Sequence, residues 1–378
     1  MSVPLLDLAA QHASIRPELE VAIARVLEHG RFVGGPEVEL FEERFAAFCQ
    51  VGHCVGVSNG TDALTLGLRA AGVGPGDEVI TTAFTFVATV ESICQTGARP
   101  VLVDPRPDTA LIHAGDVEAA VNRRTAAVVA VHLYGQPVDL EAFRALADRH
   151  GLLFVEDAAQ AHGAGWRGRR AGAVGDFASF SFFPGKNLGA LGDAGAVTTS
   201  DSALARRVRL LRDHGRLDRK YLHEGLGTNA RLDTLQAAVL AVKLGHLEEW
   251  NEARRAHAAA YDVAFSEVAG VDPIRAADGA SPVYHQYVVR LRKRDSAREL
   301  LGSRGITTGI HYPIPLHRQP ALAELVAERE LRNADTLATE VLSLPVYPEL
   351  SVTQREAVVT GLRRHAERVV AVPAIGVR

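Results

Sequence analysis

No stretch of the chain approaches the ~18 apolar residues of a membrane span, and the N-terminus "MSVPLLDLAAQHASIRPELE" lacks the basic start and apolar core of a secretion signal. Cysteine is scarce. Cys49, Cys54 and Cys94 are the three in 378 residues, with no C-x-x-C pair and no histidine at zinc spacing, so neither a disulfide framework nor a metal site is indicated. The cysteines read as buried and reduced, and the chain is expected in the cytoplasm. Excess charge is missing too. With 41 Lys+Arg against 45 Asp+Glu the net charge is −4, which argues against nucleic acid or an anionic membrane as partner. Internal repeats and low-complexity segments are absent.

What is present is length and alternation. The length suits one large domain plus a smaller one. From Cys54 to about Thr199 the apolar runs "CVGVS", "EVITT", "RPVLVD", "AAVVAVH", "LLFVED", "FASFSFF" and "GAVTTS" read as strands. Between them "TDALTLGLRAAG", "VATVESICQTG" and "DLEAFRALADRHG" carry the three-and-four spacing of helices, the last closing on a glycine. Such alternation predicts an α/β fold with a mainly parallel seven-stranded sheet covered on both faces. Ligands then collect at the strands' carboxyl ends. A long helical pattern from about Arg231, too long for a local connector, reads as a spine leaving the large domain. The large domain is expected over residues 1–245 and a small C-terminal α/β domain over 246–378.

Three constellations fall where the sheet places a ligand. The run "FSFFPGKNLGALGDAGAV" holds a single cation, Lys186, in a tight Gly/Pro loop after a buried strand. An amine there loses hydration, which lowers its pKa and makes it nucleophilic. In "FVEDAAQAHG", Asp157 ends an apolar strand and Gln160 follows by three. Asp157 is either a helix cap or the acid that keeps a heterocyclic nitrogen protonated, with Gln160 donating to a ring oxygen beside it. His162 reads equally as a structural histidine or as an acid or base. In "SNGTDAL" a strand ends at Ser58 and a helix starts at Thr61, with Gly60 permitting close backbone approach. This is an ordinary capped helix or a phosphate site. Taken in order, an anion cradle, a ring-nitrogen acid and a desolvated lysine are what pyridoxal phosphate requires.

Two other features point elsewhere. "GAGWRG" satisfies G-x-G-x-x-G, but it opens into a turn and a strand with no helix to hold a pyrophosphate, and no GK[ST] follows "SNG". Arg206 to Tyr221 carries seven Lys/Arg, read as a solvated helical face or a contact for a phosphate-bearing ligand.

The chain resembles the DegT/DnrJ/EryC1/StrS sugar aminotransferases, of pyridoxal-phosphate fold type I, nearly end to end. The motifs are "GRFVGGPEVELFEERFA", "GVSNGTDALTLGL", "PGDEVITTAFTFVAT", "VHLYGQPVDL", "VEDAAQAHGA", "FSFFPGKNLGALGDAG", "LRDHG", "GTNARLDTLQAAVL" and "HYPIPLH". The resemblance implies that Lys186 forms the Schiff base with pyridoxal 5'-phosphate, Asp157 pairs with the pyridinium and Gln160 meets the phenolic oxygen. It further implies that Gly60, Thr61 and Ser181 bind the phosphate and Phe84 stacks on the ring. Asn229 would reach the phosphate in the neighbouring subunit, so a homodimer with shared sites is expected. Phe32, Lys220, Tyr221, Tyr312 and His317 lie in motifs that line the sugar-nucleotide cleft. Because the lysine is present, amino transfer is the implied activity. The loop "KNLGALGDAG" is closest in look to members acting on dTDP-linked 3-keto-6-deoxyhexoses, with an amino acid such as glutamate as donor and the pyridoxamine form between half-reactions. The alternatives are a 4-keto sugar nucleotide, an inosose, an aminobenzoate precursor, or a regulatory protein that only holds the cofactor.

Overall fold

The computed structural model describes residues 2–217, 219–326 and 329–371. Three helices come first: α1 (Leu8–Ser14), α2 (Arg16–His29) and α3 (Pro36–Cys49). α2 stops at Gly30, whose φ of 68° closes a helix that a branched side chain would strain. The alternating region follows as β1 (His53–Val57), α4 (Gly60–Ala70), β2 (Glu78–Thr82), α5 (Ala88–Gln95), β3 (Arg99–Val103), α6 (Ala114–Glu118), β4 (Thr125–Val131), α7 (Leu140–His150) and β5 (Leu153–Asp157). Next come a short hairpin, β6 (Gly165–Trp166) and β7 (Arg169–Arg170), then β8 (Phe177–Ser181) and β9 (Gly195–Thr199). The hairpin occupies the "GAGWRG" segment, where no helix forms.

The strand order is β1-β9-β8-β5-β4-β2-β3, and all seven strands read from the apolar runs are in this one sheet. β9 runs antiparallel to both its neighbours; every other pairing is parallel. Strands buried on both faces give the near-continuous apolar runs seen in the sequence. Three apolar clusters pack around the sheet.

The expected spine is two helices. After α8 (Ser202–Arg212), α9 (Thr234–Leu244) ends at Gly245, and α10 (Leu247–Phe265) begins again beyond His246. Glycine is costly inside a helix, and here the last turn closes on tighter bonds, Gly245 N to Val242 O at 3.0 Å and His246 N to Lys243 O at 3.0 Å. The C-terminal part adds β10 (Val271–Pro273), β11 (Ala280–Ser281), β12 (Tyr287–Leu291), α11 (Arg294–Gly302), α12 (Arg332–Glu340), β13 (Val341–Leu344) and α13 (Val352–Ala371). β10, β12 and β13 form an antiparallel sheet with its own core. Val3 belongs to that core and bridges Ile306, so the chain's first residues pack with its C-terminal part.

Candidate active site

The ends of β1, β5 and β8 converge. Asp157 stands opposite Ser179, while Ser181 and Val57 both stand opposite Gly195 of the intervening β9. This register sets the Lys186 loop, which leaves β8, beside the first turn of α4. A Cβ on Gly195 would meet Asn59 O at 2.3 Å, so only glycine lets the two loops close together.

Lys186 is fixed at both ends of its loop: its own N–H reaches Phe183 O at 2.8 Å, and Ala190 N reaches Phe182 O at 2.8 Å. Burial pushes its amine down to about 8, and the negative charge of Asp157 works against that shift. Three imidazoles share this electrostatic environment. His162 is lowered to about 3, His311 to about 4 and His285 well below its ordinary value, each first by burial and next by the Lys186 charge. All three are therefore neutral. His162 reaches Ser181 O through Nε2 at 2.9 Å, and its Nδ1 is buried without a partner among the described residues.

Asp157 is buried and accepts from Thr89 Oγ1 at 2.8 Å and from Ala159 N at 3.2 Å. Both donors are neutral, and it forms no ion pair among the described residues. A buried carboxylate so placed is complete only with a cation, and a protonated heterocycle supplies one. Next to it, Glu156 is held low despite burial by His132 Nε2 at 2.8 Å and by the amides of Gly172, Val174 and Gly175 at 2.7, 2.9 and 2.7 Å. The adjacent carboxylates divide their work: Glu156 is saturated by the fold, and Asp157 is left open.

Gln160 accepts from Tyr134 N at 2.6 Å, which aims its amide nitrogen at the Tyr312 hydroxyl, 3.2 Å away. Tyr134 adopts φ 63°, costly for an aromatic residue, and its hydroxyl donates to His311 O at 2.5 Å. That strain aligns Gln160 and the 311–312 segment together. Neither Thr89 nor Tyr134 stood out in the sequence, although both lie in motifs that did.

The expected anion cradle, Gly60, Thr61 and Ser181, lies at the start of α4. Asn59 caps the helix by accepting from Asp62 N at 2.8 Å, and the N–H groups of Gly60 and Thr61 before it have no partner inside the helix. A Cβ on Gly60 would sit 2.7 Å from Ser181 Cβ, so glycine keeps this hollow open. With Asp157 and Lys186, these groups fit pyridoxal phosphate.

Phe84 is 0% exposed with its ring centroid 6.3 Å from that of Tyr312, and Phe86, 55% exposed, lies 5.9 Å from the same ring, so both phenylalanines border the site. His317 is not in an open cleft: its side chain is buried, with Nε2 3.1 Å from Asp335 Oδ1. It joins the 316–318 turn to α12. Tyr312 does face the site. Phe32, Lys220, Tyr221 and Asn229 are exposed away from the Lys186 loop's bonding network, with Lys220 Nζ 5.4 Å from the Tyr221 ring centroid. The basic stretch is largely neutralised. Arg209 and Arg212 pair with Glu42, Arg216 with Asp213 and Arg206 with Glu224. Among the described residues no three His, Cys, Asp or Glu side chains could hold a metal ion, and no helix is long and apolar enough to cross a membrane.

The model of the DegT/DnrJ/EryC1/StrS aminotransferase family matches residues 13–363. A dTDP-3-amino-3,4,6-trideoxy-alpha-D-glucose transaminase of Streptomyces venezuelae is 50% identical over 369 residues, covering 97% of each chain. The crystal structure of S. venezuelae DesV in complex with a ketimine intermediate superposes with a TM-score of 0.95 at 49% identity, over 97% of this chain and 99% of that one. The Bacillus subtilis NtdA structure with bound cofactor PMP has a TM-score of 0.90 at 30% identity, over 97% and 85%. A match this long, on a chain whose site fits the same cofactor, leaves one assignment: the protein belongs to the DegT/DnrJ/EryC1/StrS aminotransferase family and uses pyridoxal phosphate.

Proposed function

We propose that this aminotransferase moves the amino group of an amino acid, glutamate first among them, to the 3-keto group of a dTDP-linked 6-deoxy sugar, giving a 3-amino sugar nucleotide. One observation carries the chemistry: Lys186, its amine lowered to about 8, lies in the field of Asp157, a buried carboxylate with only neutral partners. The 3-keto sugar is supported by the product named for the S. venezuelae transaminase and by the dTDP-3-amino-3,6-dideoxy-alpha-D-galactopyranose transaminase of Aneurinibacillus thermoaerophilus, 42% identical.

When bound, pyridoxal phosphate supplies a protonated heterocycle that takes up the electron pair left on a substrate carbon. Asp157 would hold the proton on the ring nitrogen, and Thr89 keeps Asp157 aimed. Lys186, neutral in part near pH 7, would hold the cofactor by its carbonyl carbon and, when free, its Nζ would be the group that carries a proton to and from substrate carbon. Gly60, Thr61 and Ser181 would hold the phosphate, Gln160 and Tyr312 would face the phenolic oxygen, and Phe84, with Phe86 beside it, would offer the stacking ring. The neutral imidazoles around Lys186 add no competing charge. A protein that merely held the cofactor would need no such amine.

The cofactor's second anchor and part of the sugar-nucleotide cleft come from a second copy of the chain. Asn229 is exposed and makes no side-chain hydrogen bond among the described residues, as expected of a group that reaches a neighbouring subunit. Phe32, Lys220 and Tyr221 form the exposed surface near it in sequence or fold. Buried or unpaired, the three cysteines suit a reducing cytoplasm.

The test converts the enzyme to its pyridoxamine form and offers a panel of 3-keto and 4-keto nucleotide sugars. Return of the cofactor's original absorption is expected with 3-keto dTDP sugars. Return only with 4-keto sugars overturns the substrate assignment, and no bleaching by glutamate in the first half-reaction overturns amino transfer from that donor.

A further inference from the structure

Lys186 is not the chain's only amine lowered by desolvation. Lys243, on α9, is 0% exposed, and burial pushes it down to about 8 as well, with Glu349 pulling it the other way. A desolvated lysine needs a reason to persist, and the reaction does not use this one. Its Nζ lies 2.8 Å from His12 Nε2 on α1 and donates to Gly189 O at 2.8 Å. Gly189 is the last residue of "PGKNLG", the loop that carries Lys186.

The contact has a companion. Gln236, seven residues earlier and therefore on the same face of α9, accepts from Leu191 N at 2.8 Å through Oε1. That face thus grips the descending leg of the loop at two points, a carbonyl and an amide. The Lys186 side is held from α10 and from the segment before β12: Asn187 Nδ2 donates to Asn251 Oδ1 and to Val283 O, each at 2.9 Å. The turn has no slack of its own, since a Cβ on Gly189 would meet Pro184 O at 2.2 Å. His12 is lowered by its burial and by the Lys243 charge, which favours the neutral imidazole beside the amine.

We propose that Lys243 is a positioning residue that locks the catalytic-lysine loop to α1, holding Lys186 in its desolvated place. This rests on reading Lys186 as the cofactor lysine. A lysine suits the task because three donors on a flexible stem satisfy a carbonyl and an imidazole from different elements at once. The groups that face it are His12 from α1 and, at longer range, Glu349 from the segment after β13. With the amine gone, Gly189 O loses its donor, α1 loses its tie, and water reaches the loop.

Lys243→Met removes the donors at nearly constant volume. In the apoprotein, hydrogen exchange at Ala190, Leu191 and across α1 is expected to speed by at least about tenfold, with the β4 and β5 amides unchanged. In the same apoprotein, the pH midpoint at which Lys186 becomes reactive to acetic anhydride, near 8, is expected to rise by about one unit. Burial and Asp157 set that amine, not the Lys243 charge, so the rise reports the loop's geometry. Lys243→Arg, which keeps a cationic donor, should return the midpoint toward the original. His12→Leu should speed exchange in α1 while the loop stays protected. Unchanged loop exchange with an unchanged Lys186 midpoint in folded Lys243→Met overturns the proposal. If Lys243→Met does not fold, His12→Leu decides: faster exchange in α1 supports the tie, and unchanged α1 overturns it. Borohydride fixing the cofactor on another lysine would sink the Lys186 reading while leaving the exchange result standing.

Discussion

The cofactor pole and the 213–229 segment are opposites. At the pole, Asp157, Gln160, Thr89 and Tyr134 are buried and bonded to one another or to the backbone. Along 213–229 the large side chains stand in water: Tyr221 is 83% exposed and Leu226 89%. Asp213 and Asn229 bridge its ends, and His223 reaches His214 O at 2.7 Å, so these described residues are tied by bonds of their own. The difference teaches that the chemistry is preorganised by burial, whereas the second surface leaves large apolar side chains in water, the kind of surface on which the proposed second subunit would sit.

The comparison breaks first at its strongest point. Lys186→Ala should lower amino transfer by at least about a thousandfold, because the nucleophile and the proton carrier are one group. Borohydride should then fix no cofactor, and a reduced adduct elsewhere would move the catalytic pole. Asp157→Ala should retain some cofactor yet slow the single-turnover reaction with glutamate by about a hundredfold or more. A near-normal first half-reaction would make Asp157 only a cap.

The other region is sharpened by mixing. Asn229→Asp sets a negative charge where a phosphate is expected and should be nearly inactive alone. Refolded together with Lys186→Ala, random dimers should recover about a quarter of the sites, since half the dimers are mixed and each holds one intact site. No recovery, with mixed dimers shown to form, would place Asn229 in its own chain's site.

The smallest effect is on stability. The folded chain holds the Lys186 proton only below about pH 8, whereas the unfolded chain holds it to the ordinary lysine value of 10.5. Between those values the unfolded state binds more protons, so this group's penalty is full below 8 and fades as pH rises to 10.5. Lys186→Met should therefore raise the apoprotein's Tm at pH 7 by about 1–3 °C, with the gain vanishing at high pH. Scanning calorimetry at pH 7 and pH 10.5 checks both the sign and the window. Cofactor capture should likewise quicken with pH and level off above about 8.

Legibility followed physics. Asp157 and Lys186 could be read because a charge at the end of a very apolar strand, or inside a Gly/Pro loop, is anomalous where it stands. Thr89 could not, since a threonine near a helix start has an ordinary role at hand, and only the parallel pairing carries α5 to the end of β5. By composition alone Phe84 is a core residue, and the structure buries it while setting its ring against Tyr312 from the distant 311–312 segment. His317 looked like a cleft residue until α12 brought Asp335 against it. The spine is one long pattern in sequence because its helical periodicity continues past Gly245, and only the paired bonds there show the break.

By itself the sequence determined the alternating strands and helices, the order of cradle, acid and lysine, and the cofactor they require, because each is a local pattern of polarity, spacing and turn chemistry. The tertiary structure alone decided which aromatic rings border the site, which histidines are neutral and what a second desolvated lysine holds. Those properties depend on how much water and which charges surround a group, and its neighbours come from distant parts of the chain: His12 for Lys243, Tyr134 for Gln160, Thr89 for Asp157.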